Sequence, residues 1–209
     1  KKASQGAMSE LSSLGQEITV SPQGIVSPPT QLSRIKLVAD SSHPEWGNFC
    51  FYHPTNPRSY GEPLVDQHGN SALLCTIVDL FISYDGKAGG KGSATWEGKR
   101  AYVIAILQTP MPNLRYQLAM PTTSAGYVYR SFLAHTSVVD LSNKYVILQG
   151  KQGKRDATFC QFFMDDQLVR LPNGLIPAGT DEMEKAINRS RINLGLPPQF
   201  ETISDTVDV

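Results

Sequence analysis

The chain has 209 residues, of which 40% are hydrophobic and only 18% charged, and its formal net charge at pH 7 is zero. This length and composition suffice to bury the core of one domain, whereas the lack of excess Lys and Arg argues against a protein that mainly neutralises nucleic-acid phosphates. Cys50, Cys75 and Cys160 are widely spaced and odd in number, which argues against a disulfide framework or a zinc ribbon. No run approaches the roughly 18 apolar residues of a membrane span.

Residues 1–33 are predicted to form an extended arm or linker. They are rich in Ser, Gln, Gly and Pro, and the prolines between Ser21 and Thr30 prevent a continuous helix, since each removes an N–H donor and restricts its neighbour. The first residues have no apolar core and do not resemble a secretion signal; we expect a piece of a larger polypeptide. Alternating apolar and polar residues at Leu32–Ala39 predict the first strand of the body.

Two long apolar runs in the middle of the chain predict neighbouring strands. They are Leu73–Tyr84 and Arg100–Thr109, both rich in Val, Ile, Leu, Phe and Tyr and too short for long helices. The glycine- and lysine-rich residues 85–99 between them predict a long exposed loop. Upstream, the prolines and glycines of residues 40–70 predict long loops around a short strand at Trp46–Tyr52.

The second half of the chain predicts further strands and one helix. The clearest hairpin joins Lys144–Gln149 to Ala157–Met164 through the turn Gly150–Arg155. A capping box beginning at Asp181 predicts a helix start, and Gly195 predicts its end. The other strands are predicted at Arg115–Met120, Tyr127–Leu133, Ser137–Leu141 and Gln167–Leu171.

The spacing of these elements predicts a mainly β fold. Short strands separated by turn signals, with no helices between them, favour an antiparallel β-sandwich or barrel with long loops and one C-terminal helix. We expect residues 34–196 to form a single β-rich domain that ends in the helix, and residues 197–209 to form an acidic tail.

Cationic residues concentrate at the two predicted hairpin tips. If both tips lie at one end of a barrel, they form a basic, glycine-rich ridge suited to a sulfated or sialylated glycan, an acidic protein patch or a nucleic-acid strand. The alternative is that these charges only keep the tips soluble. The candidate binding residues are Lys87, Lys91 and Trp96 at the first tip and Lys151, Lys154 and Arg155 at the second.

Aromatic residues in the loops form another candidate surface. Large aromatic side chains beside Arg or Lys are typical of carbohydrate-binding and protein-binding surfaces. The alternative is that Trp46 and Tyr52 cap the core, because large aromatics are mostly buried on average. The residues concerned are Trp46, Tyr52, Tyr60, Tyr84 and Trp96.

A hydrolase is a further alternative, centred on the 40–70 loop. Local clustering of histidine, hydroxyl and carboxylate groups permits such a site but does not establish it, because the groups must converge in space. No His, Cys or carboxylate residues have metal-ligand spacing, so no metal or cofactor is predicted. The candidates are His43 with Asp40 and Ser42, His135 with Ser137 and Asp140, and Cys50 as a thiol nucleophile paired with His53 or His43.

A β-rich body of low charge, long Pro/Gly/Tyr loops, a Pro/Ser arm and an acidic tail together resemble the protruding, or spike, domain of a small positive-strand RNA virus capsid protein. The resemblance extends from Leu32 to Leu171 in strand spacing and turn density. It implies a homo-oligomer at the virion surface, synthesised in the host cytoplasm, that attaches to a host glycan or receptor protein. It implies no membrane insertion, and nucleic acid is not an expected partner. A matrix-like or scaffold protein, whose arm docks into a neighbouring subunit, remains the alternative binding function.

Overall fold

The structure is a computed structural model that describes residues 19–20, 26–27, 31–39, 45–52, 60–65, 71–88, 95–96, 99–123, 126–154, 157–171 and 173–201. These residues are mostly β. The helices are α1 (Tyr127–Thr136) and α2 (Thr180–Asn193). The strands are β1 (Thr19–Val20), β2 (Val26–Ser27), β3 (Gln31–Ala39), β4 (Trp46–Tyr52), β5 (Tyr60–Pro63), β6 (Ala72–Ala88), β7 (Thr95–Trp96), β8 (Lys99–Gln108), β9 (Leu114–Pro121), β10 (Val146–Gln152), β11 (Thr158–Met164) and β12 (Gln167–Leu168).

Six of the strands close into a β-barrel, in the order β10-β6-β8-β9-β3-β4. Pairing between β10 and β4 completes the circle, and β11, β12 and β5 extend the sheet beyond the barrel. The barrel pairings are antiparallel except for β3 with β9, which run parallel. The predicted mainly β fold with a barrel is therefore confirmed, and β3 already begins within the segment that the sequence assigned to the arm.

The long strand β6 keeps its apolar residues in the core by means of a β-bulge. Leu73 and Ile77 point inward in the first half, whereas Leu80 and Ile82 do so in the second half. The pairing register with β8 shifts between Ile77 and Asp79. The extra residue of a bulge changes which alternate positions of the strand face inward. The apolar residues of β6 therefore all face the same core, although they do not alternate strictly along the strand.

The barrel closes where two glycines meet. Gly150 of β10 pairs with Gly47 of β4. A Cβ atom on Gly150 would lie 2.6 Å from the Gly47 carbonyl oxygen and 2.7 Å from the Gly47 Cα. Such distances leave room only for hydrogen, because backbone atoms cannot move aside as a flexible side chain can. The predicted hairpin is confirmed, but Gly150 belongs to a strand and not to the turn.

The strand predicted at Tyr127–Leu133 is wrong, because this segment is helix α1. Tyr, Val and Phe favour strands in isolation. In the fold, however, Tyr129, Phe132, Leu133 and Thr136 are all buried, at the i, i+3, i+4, i+7 spacing of one helical face. That face packs against β11 and α2, so tertiary burial overrides local propensity. The chain therefore has a helix in addition to the predicted C-terminal one, and the segment that follows α1 forms turns instead of a strand.

The predicted C-terminal helix is present as α2, although it begins differently from the prediction. Gly179 occupies the N-cap position and provides no side-chain cap, while Asp181 and Glu182 lie in the first turn, where carboxylates interact favourably with the helix dipole. Gly195 adopts the left-handed conformation at φ 75° and ends the helix as expected. Arg191 fixes α2 to the barrel through a 2.9 Å contact with the Asp79 carboxylate.

Candidate functional site

The two predicted basic tips lie at opposite ends of the barrel wall. Gln149, near the end of β10, pairs with Ala72 at the beginning of β6, whereas Ala88 at the end of β6 pairs with Lys99. The described residues that flank the second tip therefore lie near the start of β6, and those that flank the first tip lie at its far end. The condition for one continuous basic ridge is not met, although each tip alone remains a predicted binding surface.

Several predicted site residues fall outside the part of the chain that the structure describes. Lys151, which lies in β10, and Lys154, which follows that strand, are described and exposed. Lys87 lies in β6 and Trp96 in β7, but their side chains are outside the description. The predicted residues that lie wholly outside the described part are Lys91, Arg155, Asp40, Ser42 and His43.

His135 has a geometry that does not suit a general base. It is buried in α1, where its Nδ1 lies 2.7 Å from the Ser131 carbonyl oxygen and its Nε2 lies 3.2 Å from the Val169 carbonyl oxygen. Its ring also stacks on Phe162 with centroids 4.6 Å apart. Burial lowers the pKa of His135, although both carbonyls oppose this effect. Since both nitrogens face main-chain oxygens, neither is directed at a hydroxyl, a thiol or a carboxylate.

The hydroxyl and carboxylate predicted beside His135 bond elsewhere. The Ser137 hydroxyl donates to the Ala134 carbonyl oxygen, and Asp140 accepts hydrogen bonds from Lys144 and from the Ser142 backbone N–H. The predicted grouping of His135, Ser137 and Asp140 as a catalytic site is therefore wrong, because each of the three groups is bonded to a different partner.

The cysteines are buried thiols without a disulfide partner. Burial raises the pKa of Cys75 to about 12 and raises the pKa of Cys160 above its ordinary range as well. A thiol of raised pKa has little thiolate at neutral pH, which is the form that reacts. Among the described residues, no group of three His, Cys, Asp or Glu side chains is placed to hold a metal ion.

The structure gathers two cations and two tyrosines on the outer surface of the barrel. The Arg34 guanidinium carbon lies 4.6 Å from the ring centroid of Tyr52 and 5.7 Å from that of Tyr102. The Lys36 ammonium nitrogen lies 4.7 Å from the same Tyr52 ring. Both distances to Tyr52 are within the range of cation–π attraction. We call these four residues the Arg34 cluster.

Strand alternation places the Arg34 cluster on the outside. In β3, Ile35 and Leu37 point into the core, so Arg34 and Lys36 point outward. Tyr102 likewise alternates with core residues of β8. Leu32, which is 53% exposed, lies two residues before Arg34 on the same face. The cluster therefore combines charge, aromatic rings and one aliphatic side chain on a solvent-accessible wall.

The pKa shifts in the Arg34 cluster follow from partial burial. Burial is the main cause of the raised pKa of Tyr52, and the charge of Arg34 opposes it, so this phenol stays neutral at physiological pH. Burial is also the main cause of the lowered pKa of Lys36, which the neighbouring Cys50 opposes. Arg34 also hydrogen-bonds the Tyr52 side chain. A guanidinium carries several N–H donors, so those that Tyr52 does not engage are suited to a planar anion such as a carboxylate or a sulfate.

The sequence contained part of the signal for this cluster. Alternation in β3 already separated Arg34 and Lys36 from the core residues, and Tyr52 was among the candidate aromatic residues. No sequence feature linked Tyr102 to them, because β8 reaches β3 only through the intervening strand β9. The other aromatic candidate that is described here, Trp46, is 45% exposed and does not cap the core.

Comparison with known proteins gives no relative from which a function could be inferred. The chain matches no family model, no curated protein and no solved structure. Within the part of the chain described above, neither helix has the length and apolar character required to cross a membrane. Functional inference therefore depends on the geometry of the chain itself.

Proposed function

We propose that this barrel is a non-enzymatic binding domain that attaches to an acidic glycan or an acidic patch of a receptor protein through the Arg34 cluster. In the setting of a viral protruding domain, this binding is attachment of the virion to its host. The observation that carries the proposal is the Arg34 guanidinium beside both Tyr52 and Tyr102, with Lys36 on the same Tyr52 ring.

The chemistry of the cluster favours an acidic ligand with an apolar ring face. A guanidinium binds carboxylate or sulfate through two parallel N–H···O bonds, and a hydrogen bond to a charged group contributes about 1.5–3 kcal/mol. Tyrosine rings and the exposed Leu32 supply surface against which the C–H groups of a sugar pack. A sialylated or sulfated glycan combines both features.

Rigidity supports the same proposal. Arg34 lies on a strand whose next residue, Ile35, is fully buried, so its backbone is fixed by the core. A side chain that already contacts two rings loses less conformational freedom on binding than a free one. The cluster is therefore pre-organised for a ligand.

A hydrolase centred on residues 40–70 stays a prediction, because His43, Asp40 and Ser42 are outside the described residues. The alternative centre at His135 has lost its support, since both ring nitrogens face main-chain oxygens. A generic esterase assay with the wild-type chain tests the remaining alternative, and turnover abolished by His43→Ala would favour it over attachment.

The test of attachment is a glycan array followed by titration calorimetry with the best acidic glycan. We expect Arg34→Gln to weaken binding at least about tenfold, the loss of one charge-assisted pair. The matched control is Arg189→Gln, which removes an exposed arginine from α2 and should bind like the wild type. The affinity should also fall as salt rises, because the pair is screened.

Two outcomes contradict the proposal. One is a wild-type chain that retains no sialylated or sulfated glycan and no acidic receptor peptide at micromolar concentration. The other is an Arg34→Gln variant that binds as tightly as the wild type while melting at the same temperature. Light scattering on the same samples tests the expected oligomer, which a strict monomer at high concentration would contradict.

A further inference from the structure

A groove of about 530 Å³ runs along β11, away from the Arg34 cluster. One wall is formed by α1 through Ser131 and His135, and the other is formed by the segment after β12. The volume lies within the usual range for small-molecule sites, roughly 300–1,000 Å³. The groove is therefore large enough for a ligand of moderate size.

The groove exists because the chain leaves β11 after a short pairing. The Val169 N–H donates to the Phe162 carbonyl oxygen at 2.8 Å. Beyond this bond the segment turns away, and Leu171 and Leu175 line the space that opens, together with Leu168, which is 44% exposed. Apolar side chains thus face a solvent-accessible channel that nothing in the described part of the chain fills.

The Ser131 hydroxyl and one ring nitrogen of His135, on the inner wall of the groove, are already bonded to the protein. The Ser131 hydroxyl donates to the Val128 carbonyl oxygen at 3.0 Å and accepts from the Cys160 N–H at 2.9 Å. A neutral imidazole carries one ring N–H, so one nitrogen of His135 donates to the carbonyl oxygen of Ser131 or Val169, while the other nitrogen faces the second of these carbonyls. An alkyl chain that enters the groove therefore takes no hydrogen bond away from Ser131 or from the donating nitrogen of His135.

The charged side chains that line the groove are all cationic. Lys151 and Arg170 line the groove and are exposed, and the described lining residues include no Asp or Glu. None of the ion pairs between described residues involves Lys151 or Arg170. An apolar groove lined by two exposed cations is complementary to a molecule with an apolar body and an anionic head.

We propose that this groove binds an amphiphilic carboxylate of the fatty-acid class, with its alkyl chain along Leu168, Leu171 and Leu175 and its carboxylate at Lys151 and Arg170. This site is separate from the Arg34 cluster and does not depend on the proposed attachment function. Burial of each further methylene adds favourable free energy, so the affinity rises with chain length until the groove is full.

The test uses dodecanoate below its micellar concentration, titrated into the wild-type chain by calorimetry, with methyl NMR to locate the ligand. We expect one bound molecule per chain and chemical-shift changes at Leu168, Leu171 and Leu175. Three further ligands serve as controls. Dodecanol has the same alkyl chain without a charge, dodecyltrimethylammonium has the opposite charge, and acetate has the carboxylate without the long alkyl chain. Each should bind at least about tenfold more weakly than dodecanoate, the loss of one charge-assisted contact or of several methylenes.

The matching variant is the double substitution Lys151→Gln and Arg170→Gln. The control pair is Arg115→Gln and Lys144→Gln, two exposed cations that do not line the groove. We expect at least about tenfold weaker dodecanoate binding in the first and none of this loss in the second. Equal binding of dodecanoate, dodecanol and the ammonium compound overturns the proposal. So does an unchanged affinity in the Lys151/Arg170 variant, shifts confined to another surface, or no binding at millimolar dodecanoate.

Discussion

The barrel interior and the layer formed by α1 and α2 are both buried, but different interactions hold them. The barrel is filled with aliphatic and aromatic side chains, and its buried hydroxyls Ser71, Thr109 and Thr122 each lie directly outside a strand end. The helices instead bury polar groups along their contact face, namely Ser131, His135, Thr136 and Ser190.

The difference teaches that the two regions obtain their specificity in different ways. Dispersion and burial in the barrel tolerate any side chain of suitable volume. A buried polar pair requires a defined partner, because an unsatisfied group is costly. Thr136 and Ser190 illustrate this requirement, with hydroxyl oxygens 2.7 Å apart between the two helices. The helix layer should therefore respond to single changes by loss of defined bonds, and the barrel by loss of packing.

The largest expected effect is at Phe162, which connects the two regions. Its ring is 1% exposed, meets Phe132 edge-on at 5.1 Å and stacks on His135. Phe162→Ala should lower the free energy of unfolding by about 3–5 kcal/mol, since it creates a cavity. Urea unfolding measures the change. The neighbouring half-buried Phe163→Ala is the control, and an equal loss in both variants would contradict a special connecting role.

The next largest effect is expected for Gly150→Ala. This change should lower the free energy of unfolding by about 2–3 kcal/mol, because the added methyl group would overlap the Gly47 backbone where the barrel closes. Gly174→Ala is the matched control. Gly174 has φ 68° and open space around its position, so it should cost only about 1 kcal/mol of backbone strain. Thermal unfolding compares the two. If Gly150→Ala is as stable as the wild type, the close approach of the strands at this point is not required.

Thr136→Val and Ser190→Ala should each cost about 1 kcal/mol, because each removes the same hydrogen bond between the helices. The double variant should lose less stability than the sum of the two single losses, with a coupling free energy of about 0.5–1 kcal/mol. Urea unfolding of all four proteins completes the cycle. Strict additivity would show that the two hydroxyls do not interact, and would remove the proposed contrast with the barrel.

The smallest effect is a pH dependence from His135. Its pKa is lowered in the fold by burial, so the unfolded chain takes up a proton first, near pH 6.5. The associated stability is fully present above pH 6.5 and is lost as pH falls through the lower folded pKa. Melting temperatures between pH 7.5 and 5 should fall for the wild type and less for His135→Gln. Parallel curves would contradict this assignment.

Much of the fold was readable from the sequence, and the misses have physical causes. The strands around Leu32–Ala39 and the two central runs were predicted because apolar residues recur at the period of a strand. Helix α1 was missed because Tyr, Val and Phe favour strands, and the burial that selects the helix comes from β11 and α2. The cap of α2 was misplaced because Gly179 took the N-cap position that the pattern gave to Asp181.

The candidate site was predictable only in part. Arg34, Lys36 and Tyr52 carried local signals, namely alternation in β3 and an aromatic residue at the end of β4. Their meeting with Tyr102 depends on a parallel pairing of β3 with β9, which no local pattern specifies. The predicted basic ridge failed for the same reason, since the register of β10 on β6 decides which loops share an end.

By itself, the sequence determined that this chain forms a strand-rich core with low surface charge and a terminal helix, because burial periodicity and turn residues act over short distances. The tertiary structure alone decided the closure of the barrel at Gly47 and Gly150, the helical state of Tyr127–Thr136 and the joining of Arg34 with two tyrosines. Those outcomes depend on contacts between residues far apart in the chain, whose free energy exceeds local preferences once the core has formed.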